Sequence, residues 1–135
     1  MNCYIVKVMN NLLFVYGTLL SDDNEDAIYL KNNSINYSKG KLKGRLYNIG
    51  EYPGAILSNE QNNYIYGTIL KINNPEKVFP VIDHYEGFGD DQPQPDEFIR
   101  VLTEIETEGE PVNCWIYLYN LPVTGLNQIK SGRYI

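Results

Sequence analysis

The sequence predicts an α+β fold in which short strands form a β-barrel or a strongly bent sheet, with a few short helices beside it. Several stretches have the alternation or the β-branched content of strands, and turn-rich loops separate them. Two other stretches have the caps and the apolar spacing of helices. With 135 residues, 43% of them hydrophobic and 13% aromatic, the chain is expected to form one domain over residues 1–135.

The predicted strands differ in their expected burial. Residues 41–47 alternate leucine or glycine with lysine or arginine, which is typical of a strand with one buried face. Residues 64–72 and 112–119 are rich in β-branched and aromatic side chains and are predicted to be central, with Gly67 as a bulge or a close backbone approach. The other predicted strands are 12–15 and 98–106, and residues 1–8 are either an edge strand or a poorly ordered extension.

Two helices are predicted from caps and spacing. Residues 24–31 carry acidic side chains in the first turn and a narrow apolar side. The second helix is expected to begin at Asn74, a good capping residue, and to end before Gly87. Because Pro80 removes a backbone hydrogen bond, we expect a kink or two short helical pieces there.

Charge and composition exclude several classes of protein. The formal net charge is -6 and the basic residues are scattered, which argues against nucleic acid or an anionic membrane as a partner. No apolar run approaches the ~20 residues of a membrane span, and no secretory signal is evident, so a cytoplasmic location is expected. Cys3 and Cys114 lack the spacing of metal ligands and are interpreted as free thiols; we expect no metal and no cofactor.

The segment Tyr16-Gly17-Thr18-Leu19 directly follows the first predicted strand. A glycine at the end of a strand lets the backbone turn sharply and leaves consecutive N–H groups unpaired, which suits the binding of an oxyanion or a carboxylate. In the alternative interpretation, Gly17 only ends the strand and Tyr16 only fills the core.

Further motifs place this segment in a wider pattern. The chain resembles the gamma-glutamylcyclotransferase-like family over most of its length, through motifs that occur in the family's order. These motifs are Tyr16-Gly17-Thr18-Leu19, Glu51-Tyr52-Pro53-Gly54-Ala55-Ile56, Tyr66-Gly67, Ile82-Asp83-His84-Tyr85-Glu86-Gly87, Phe98-Ile99-Arg100 and Ser131-Gly132-Arg133-Tyr134.

The resemblance implies a small mixed β-barrel with a few short flanking helices and a cavity between the glycine loop and one glutamate. It also implies an enzyme that releases 5-oxoproline from a small gamma-glutamyl substrate, by attack of the substrate's own α-amine on its γ-carbonyl. Carried over by position, Glu86 is the acid/base residue, and the backbone of Gly17, Thr18 and Leu19 holds the glutamyl end. Such a site needs to orient the substrate and move protons, and one carboxylate in an apolar cavity can move them.

Other residues near these motifs leave alternatives open. Asp83 lies one helical turn from Glu86 and either pairs with it or makes a structural hydrogen bond. His84 is expected to be exposed, with a role as general base as the minority interpretation. Arg100 is a candidate to reach the cavity and pair with Glu86 or a substrate carboxylate, or else lies at the surface. Tyr52 and Pro53 are candidates for the cavity wall, and Trp115 for the core.

Several positions depart from the family pattern. Thr18 stands where serine is commoner, and Phe98 stands where tyrosine is common. Acidic residues at 22 and 23 replace the basic and small residues that often follow the loop. The acidic loop 89–97 is interpreted either as a rim or lid of the site or as a solvated surface loop. A non-catalytic member of the fold, which binds a small anion or a protein partner, is the alternative function.

Overall fold

A computed structural model describes residues 10–20, 24–60 and 62–134 of the chain. The predicted edge strand or extension at residues 1–8, the Cys3 thiol and the acidic residues 22 and 23 lie outside these ranges. The strands are β1 (Leu12–Val15), β2 (Ser34–Asn48), β3 (Pro53–Leu57), β4 (Tyr64–Ile72), β5 (Phe98–Ile105), β6 (Val112–Tyr119) and β7 (Asn127–Gln128). The helices are α1 (Glu25–Asn32) and α2 (Pro75–Glu86), and a 3-10 turn spans Thr18–Leu20.

The strands form one mixed, curled sheet. Its order is β3-β2-β4-β1-β6-β5, with β7 paired to β2. β1 is parallel to β6, and every other pairing is antiparallel. A bridge between Lys41 and Glu106 brings the middle of β2 against the end of β5, so the sheet closes towards a half-barrel. The predicted α+β fold with a bent mixed sheet and two short helices is therefore confirmed.

The core has two parts, which lie on opposite faces of the central strands. In β1, Leu13 and Val15 pack with the apolar faces of the two helices, whereas Phe14, and Tyr16 directly after the strand, pack inside the curled sheet. The alternation follows from the period of two along a strand. Because both faces of β1 are covered, its sequence is a continuous apolar run rather than an alternating one.

The two helices begin in different ways. The Asn24 side chain caps α1, which is predicted from residue 24, by accepting the Ala27 N–H at 2.7 Å. Asn74 precedes α2, but its side chain makes no capping hydrogen bond, because its backbone is left-handed, with φ of 48°. Its carbonyl oxygen instead accepts the Lys77 and Val78 N–H groups. The predicted side-chain cap at Asn74 is therefore wrong, although the start of the helix is right.

The predicted division into two short helical pieces at Pro80 is also wrong, since α2 is continuous from Pro75 to Glu86, while the alternative of a kink there stays a prediction. Pro80 and Glu76, one turn before it, are both exposed, so the carbonyl oxygen that loses its partner at Pro80 can bind water. One face of the helix carries Val78, Phe79 and Ile82, all buried, and this packing holds the helix together across the proline.

The sheet extends further than the sequence indicates. β2 begins at Ser34, seven residues before the predicted strand, because a bulge between Asn36 and Ser38 disturbs the alternation there. β3 was not predicted, since proline and glycine open it. The close approach predicted at Gly67 is confirmed: a β-carbon there would lie 2.3 Å from the Val15 carbonyl oxygen.

Candidate active site

A cavity of about 250 Å³ opens at one end of the half-barrel. The end of β1, the start of β3, the end of α2 and the start of β5 meet there. Aromatic and apolar side chains form most of its wall. The lining residues are Phe14, Val15, Tyr16, Gly17, Thr18, Leu19, Tyr52, Pro53, Tyr85, Glu86, Glu97, Phe98 and Tyr117.

The loop from Tyr16 to Leu19 is fixed by buried contacts. The Tyr16 hydroxyl donates to the Tyr117 carbonyl oxygen at 2.6 Å and accepts the Ala55 N–H at 3.3 Å. A β-carbon on Gly17 would lie 2.6 Å from Pro53 Cγ, so only glycine fits against this proline. The loop is therefore anchored to the wall of the cavity on both sides.

The backbone of this loop has free donors. The Leu20 N–H bonds to the Gly17 carbonyl oxygen at 2.9 Å, which closes a tight turn. Among the described residues, none accepts a hydrogen bond from the Thr18 or Leu19 N–H. The hydroxyls of Thr18 and Tyr85 lie 3.0 Å apart and join the loop to α2. The turn thus presents N–H groups beside the helix that carries Glu86.

Glu86 is the last residue of α2 and lines the same cavity. The helix ends because Gly87 adopts a left-handed conformation with φ of 74°, which lets the Gly87 and Phe88 N–H groups cap the His84 and Asp83 carbonyl oxygens. Within the described ranges, no group donates a hydrogen bond to the Glu86 carboxylate. Burial raises the pKa of Glu86 to about 8, with further contributions from the charges of Glu97, Asp26 and Asp83.

Glu97 is a second carboxylate in the cavity wall that the sequence prediction did not single out. The Tyr52 hydroxyl donates a hydrogen bond to it. The Tyr52 ring lies 6.0 Å from the Phe98 ring, which lies 5.5 Å from that of Tyr119. Glu97 lies directly before a predicted strand, in the loop 89–97 that the sequence analysis considers as a rim of the site. That position was the signal that could have identified it.

Arg100 does not line the cavity, contrary to the prediction that it reaches Glu86 or a substrate. Its guanidinium forms two hydrogen bonds to the Asp83 carboxylate, at 2.7 and 3.1 Å, and lies over the rings of Phe79 and Trp115. The side chain is on the face of β5 that packs against α2. The Tyr117 hydroxyl also donates to Asp83, at 2.6 Å, so Asp83 makes structural hydrogen bonds rather than a pair with Glu86.

The remaining candidates lie away from the cavity. The His84 side chain is 74% exposed and contacts Asp91 and Gln92, in agreement with the predicted exposure. Trp115 is partly buried against the helix-side core and donates its indole N–H to the Asn10 carbonyl oxygen. Cys114 is a buried free thiol, as predicted, and burial raises its pKa to about 12.

Residues 10–20, 24–60 and 62–134 contain neither a metal-type cluster nor a membrane-spanning helix. In those ranges no group of three or more histidine, cysteine, aspartate or glutamate side chains is placed to hold a metal ion. Over the same part of the chain, every helix is too short or too polar to cross a membrane.

The amino-acid sequence matches a known protein family. The model of a family described as gamma-glutamyl cyclotransferase, AIG2-like, matches residues 13–135. The gamma-glutamylcyclotransferase family protein ytfP of Citrobacter rodentium is 29% identical over 129 residues, which are 91% of this chain and 94% of that protein.

Solved structures show the same fold. The crystal structure of YkqA from Bacillus subtilis matches with a TM-score of 0.66 and 25% identity, over 93% of this chain and 40% of that chain. The solution structure of ytfP from Escherichia coli matches with a TM-score of 0.64 and 24% identity, over 92% of this chain and 96% of that chain. The half-barrel with two helices is therefore shared by these proteins.

Proposed function

We propose that this chain, which belongs to the gamma-glutamyl cyclotransferase, AIG2-like family, is an enzyme that releases 5-oxoproline from a gamma-glutamyl amine, amino acid or peptide. The observation that carries this proposal is the position of Glu86, which lines the same cavity as Thr18 and Leu19, whose N–H groups have no acceptor among the described residues. A proton carrier and an anion-binding turn in one small cavity are what an intramolecular cyclisation needs.

In this proposal the glutamyl end of the substrate binds to the turn. The Thr18 and Leu19 N–H groups receive its α-carboxylate, since unpaired backbone N–H groups in a concave turn form a site for anions. Tyr16, Tyr52 and Pro53 supply the wall against which the aliphatic part of the substrate packs. Orienting the α-amine towards the γ-carbonyl carbon in this way supplies several kcal/mol of the barrier by avoiding a bimolecular encounter.

The reaction then forms one bond and breaks another. The neutral α-amine attacks the γ-carbonyl carbon, and the new C–N bond closes a five-membered ring. The tetrahedral intermediate collapses with cleavage of the original γ-amide C–N bond, giving 5-oxoproline and a free amine. Glu86 takes a proton from the attacking nitrogen and delivers a proton to the departing nitrogen, so no proton is gained or lost overall.

The environment of Glu86 supports this role. A carboxyl group whose pKa is raised to about 8 is close in proton affinity to an α-amino group, whose ordinary pKa is about 8. A proton can therefore reside on either partner at similar cost, and general acid–base catalysis is most effective when the two affinities match. An exposed glutamate would be almost fully ionised at neutral pH and would have no proton to deliver to the departing nitrogen.

The proposal is tested by incubating the purified protein with a panel of gamma-glutamyl compounds and measuring 5-oxoproline by mass spectrometry. The panel should contain gamma-glutamyl amines, gamma-glutamyl amino acids and a gamma-glutamyl peptide, with matched α-glutamyl compounds as controls. We expect 5-oxoproline from at least one gamma-linked compound and from no α-linked control. Failure of every compound over pH 6–9 would favour the non-catalytic alternative, in which the turn only binds a small anion.

A further inference from the structure

The carboxylate of Glu97 lies close to the residue that follows Glu86. Its Oε1 atom is 4.0 Å from the position that a β-carbon on Gly87 would occupy. The Tyr52 hydroxyl donates to its Oε2 atom, and the Asn120 N–H donates to its backbone carbonyl oxygen at 2.8 Å. Glu97 is therefore held at a defined place in the cavity wall, although it belongs to the end of a loop.

We propose that Glu97 is a positioning residue for Glu86: held by Tyr52, its negative charge keeps the transferable proton on Glu86 while the cavity is empty. The catalytic meaning of this inference rests on the proposed function. The electrostatic coupling between Glu97 and Glu86 does not rest on the proposed function, because two carboxyl groups in one small cavity interact whether or not a substrate reacts.

The distribution of hydrogen bonds decides which of the two groups is ionised. Two carboxylates that share a low-polarity cavity do not both ionise readily, because their charges repel. A donated hydrogen bond favours the ionised form of its acceptor, and Glu97 receives one from Tyr52. No described residue donates to Glu86. The negative charge is therefore favoured on Glu97 and the proton on Glu86, which agrees with the raised pKa of Glu86.

Other charged and titratable groups near Glu86 are less suited to this role. Asp83, on the same helix, has its charge balanced by the two hydrogen bonds from Arg100. Asp26, on α1, acts on Glu86 less strongly than Glu97 does. The buried hydroxyls of Tyr16 and Tyr117 donate elsewhere, and burial raises the pKa of both, so they stay neutral.

The consequence for the reaction is a ready proton donor. With Glu97 ionised, Glu86 enters the reaction as a neutral acid and can bind a substrate whose α-amine is already neutral. The attacking nitrogen then loses its proton to the Glu86 carboxylate as that group gives its own proton to the departing nitrogen. Without the charge on Glu97, Glu86 would ionise at lower pH and would protonate the departing nitrogen less readily.

The test is a carboxyl-carbon NMR titration of the full chain labelled with 13C at the glutamate side-chain carboxyls. The Glu86 resonance is assigned by its loss in Glu86→Gln. We expect Glu97→Gln to lower the midpoint of Glu86 by at least about one pH unit. Glu97→Asp, which keeps the charge, should retain most of the raised midpoint. Glu104→Gln, which removes an exposed carboxylate on β5, should leave the Glu86 midpoint unchanged.

A second variant does not depend on removing Glu97. Tyr52→Phe deletes only the hydroxyl that holds the Glu97 carboxylate in the cavity wall, so the midpoint of the Glu86 resonance should fall. An unchanged Glu86 midpoint in Glu97→Gln, or an unchanged Glu86 midpoint in Tyr52→Phe, would overturn the proposal. Because these readouts need no turnover, they separate the two hypotheses. A lowered Glu86 midpoint with no 5-oxoproline from any compound would reject the proposed function and support the coupling.

Discussion

At the scale of single residues, two neighbouring groups show how position on a helix decides chemistry. His84 and Glu86 are two residues apart, and the sequence offered either one as a base. Two residues along a helix correspond to about 200° of rotation, so the two side chains point in nearly opposite directions. His84 points to solvent and Glu86 to the cavity. This difference favours Glu86 as the proton carrier.

The pH dependence of the reaction should report the raised pKa of Glu86. The reactive complex holds one proton on the pair formed by the Glu86 carboxyl group and the substrate α-amine, whichever of the two groups carries it before binding. We therefore expect kcat/KM to rise about tenfold per pH unit below about pH 8 and to fall again at higher pH, as the substrate α-amine loses its proton. A profile that levels off near pH 5 would show an ordinary exposed carboxylate and contradict the assignment.

The same group should make stability depend on pH. The folded state holds the Glu86 proton up to about pH 8, whereas the ordinary pKa is 4.5. Between these values the folded state binds more protons than the unfolded state, so this group's contribution to the free energy of unfolding falls as pH rises.

Glu86→Gln, which has no charge to bury, should therefore match the wild type below about pH 4.5 and exceed it at pH 9. The expected difference is on the order of 2–4 kcal/mol by urea denaturation. Equal stability of the two proteins at pH 9 would contradict the buried position of the carboxyl group.

At the scale of elements, the termini of β1 and α2 build the site. Where these elements end was easier to predict from the sequence than how they pack. The ends of both elements could be read from the sequence, because Gly17 and Gly87 mark them. The continuity of α2 across Pro80 could not be predicted from the sequence, since it depends on packing against the sheet. The sequence also could not show on which face of β5 the Arg100 side chain lies, because only the sheet order shows which face of the strand meets α2.

Gly17→Ala tests whether the turn needs glycine. The added β-carbon would lie 2.6 Å from Pro53 Cγ, so either the turn or the proline must move. We expect kcat/KM to fall at least about tenfold and stability to fall by about 1–3 kcal/mol. Gly109→Ala, on an exposed loop where the nearest atom is 3.9 Å away, is the matched control and should change neither quantity. Full activity of Gly17→Ala would argue against binding by this turn.

At the scale of the whole molecule, the curled sheet brings together segments that are distant in the chain. The turn after β1 and the end of α2 are joined by the contact between Thr18 and Tyr85, which are 67 residues apart. Each motif alone is too short to predict that these segments meet. The prediction was possible because the motifs occur in the same order as in a known family. Glu97 was not predicted, since its role depends on the position of Tyr52 across the cavity.

The most direct measurement is the rate of 5-oxoproline release by the wild type, Glu86→Gln and His84→Gln, with the best compound of the panel at saturating concentration. Glutamine keeps the shape of Glu86 but cannot carry a proton, so we expect kcat to fall by at least about 100-fold while substrate binding, measured by calorimetry, survives. His84→Gln should stay within a few-fold of the wild type, because that side chain is exposed. A Glu86→Gln variant that keeps most of its activity, together with an inactive His84→Gln variant, would contradict the assignment of Glu86 as the proton carrier.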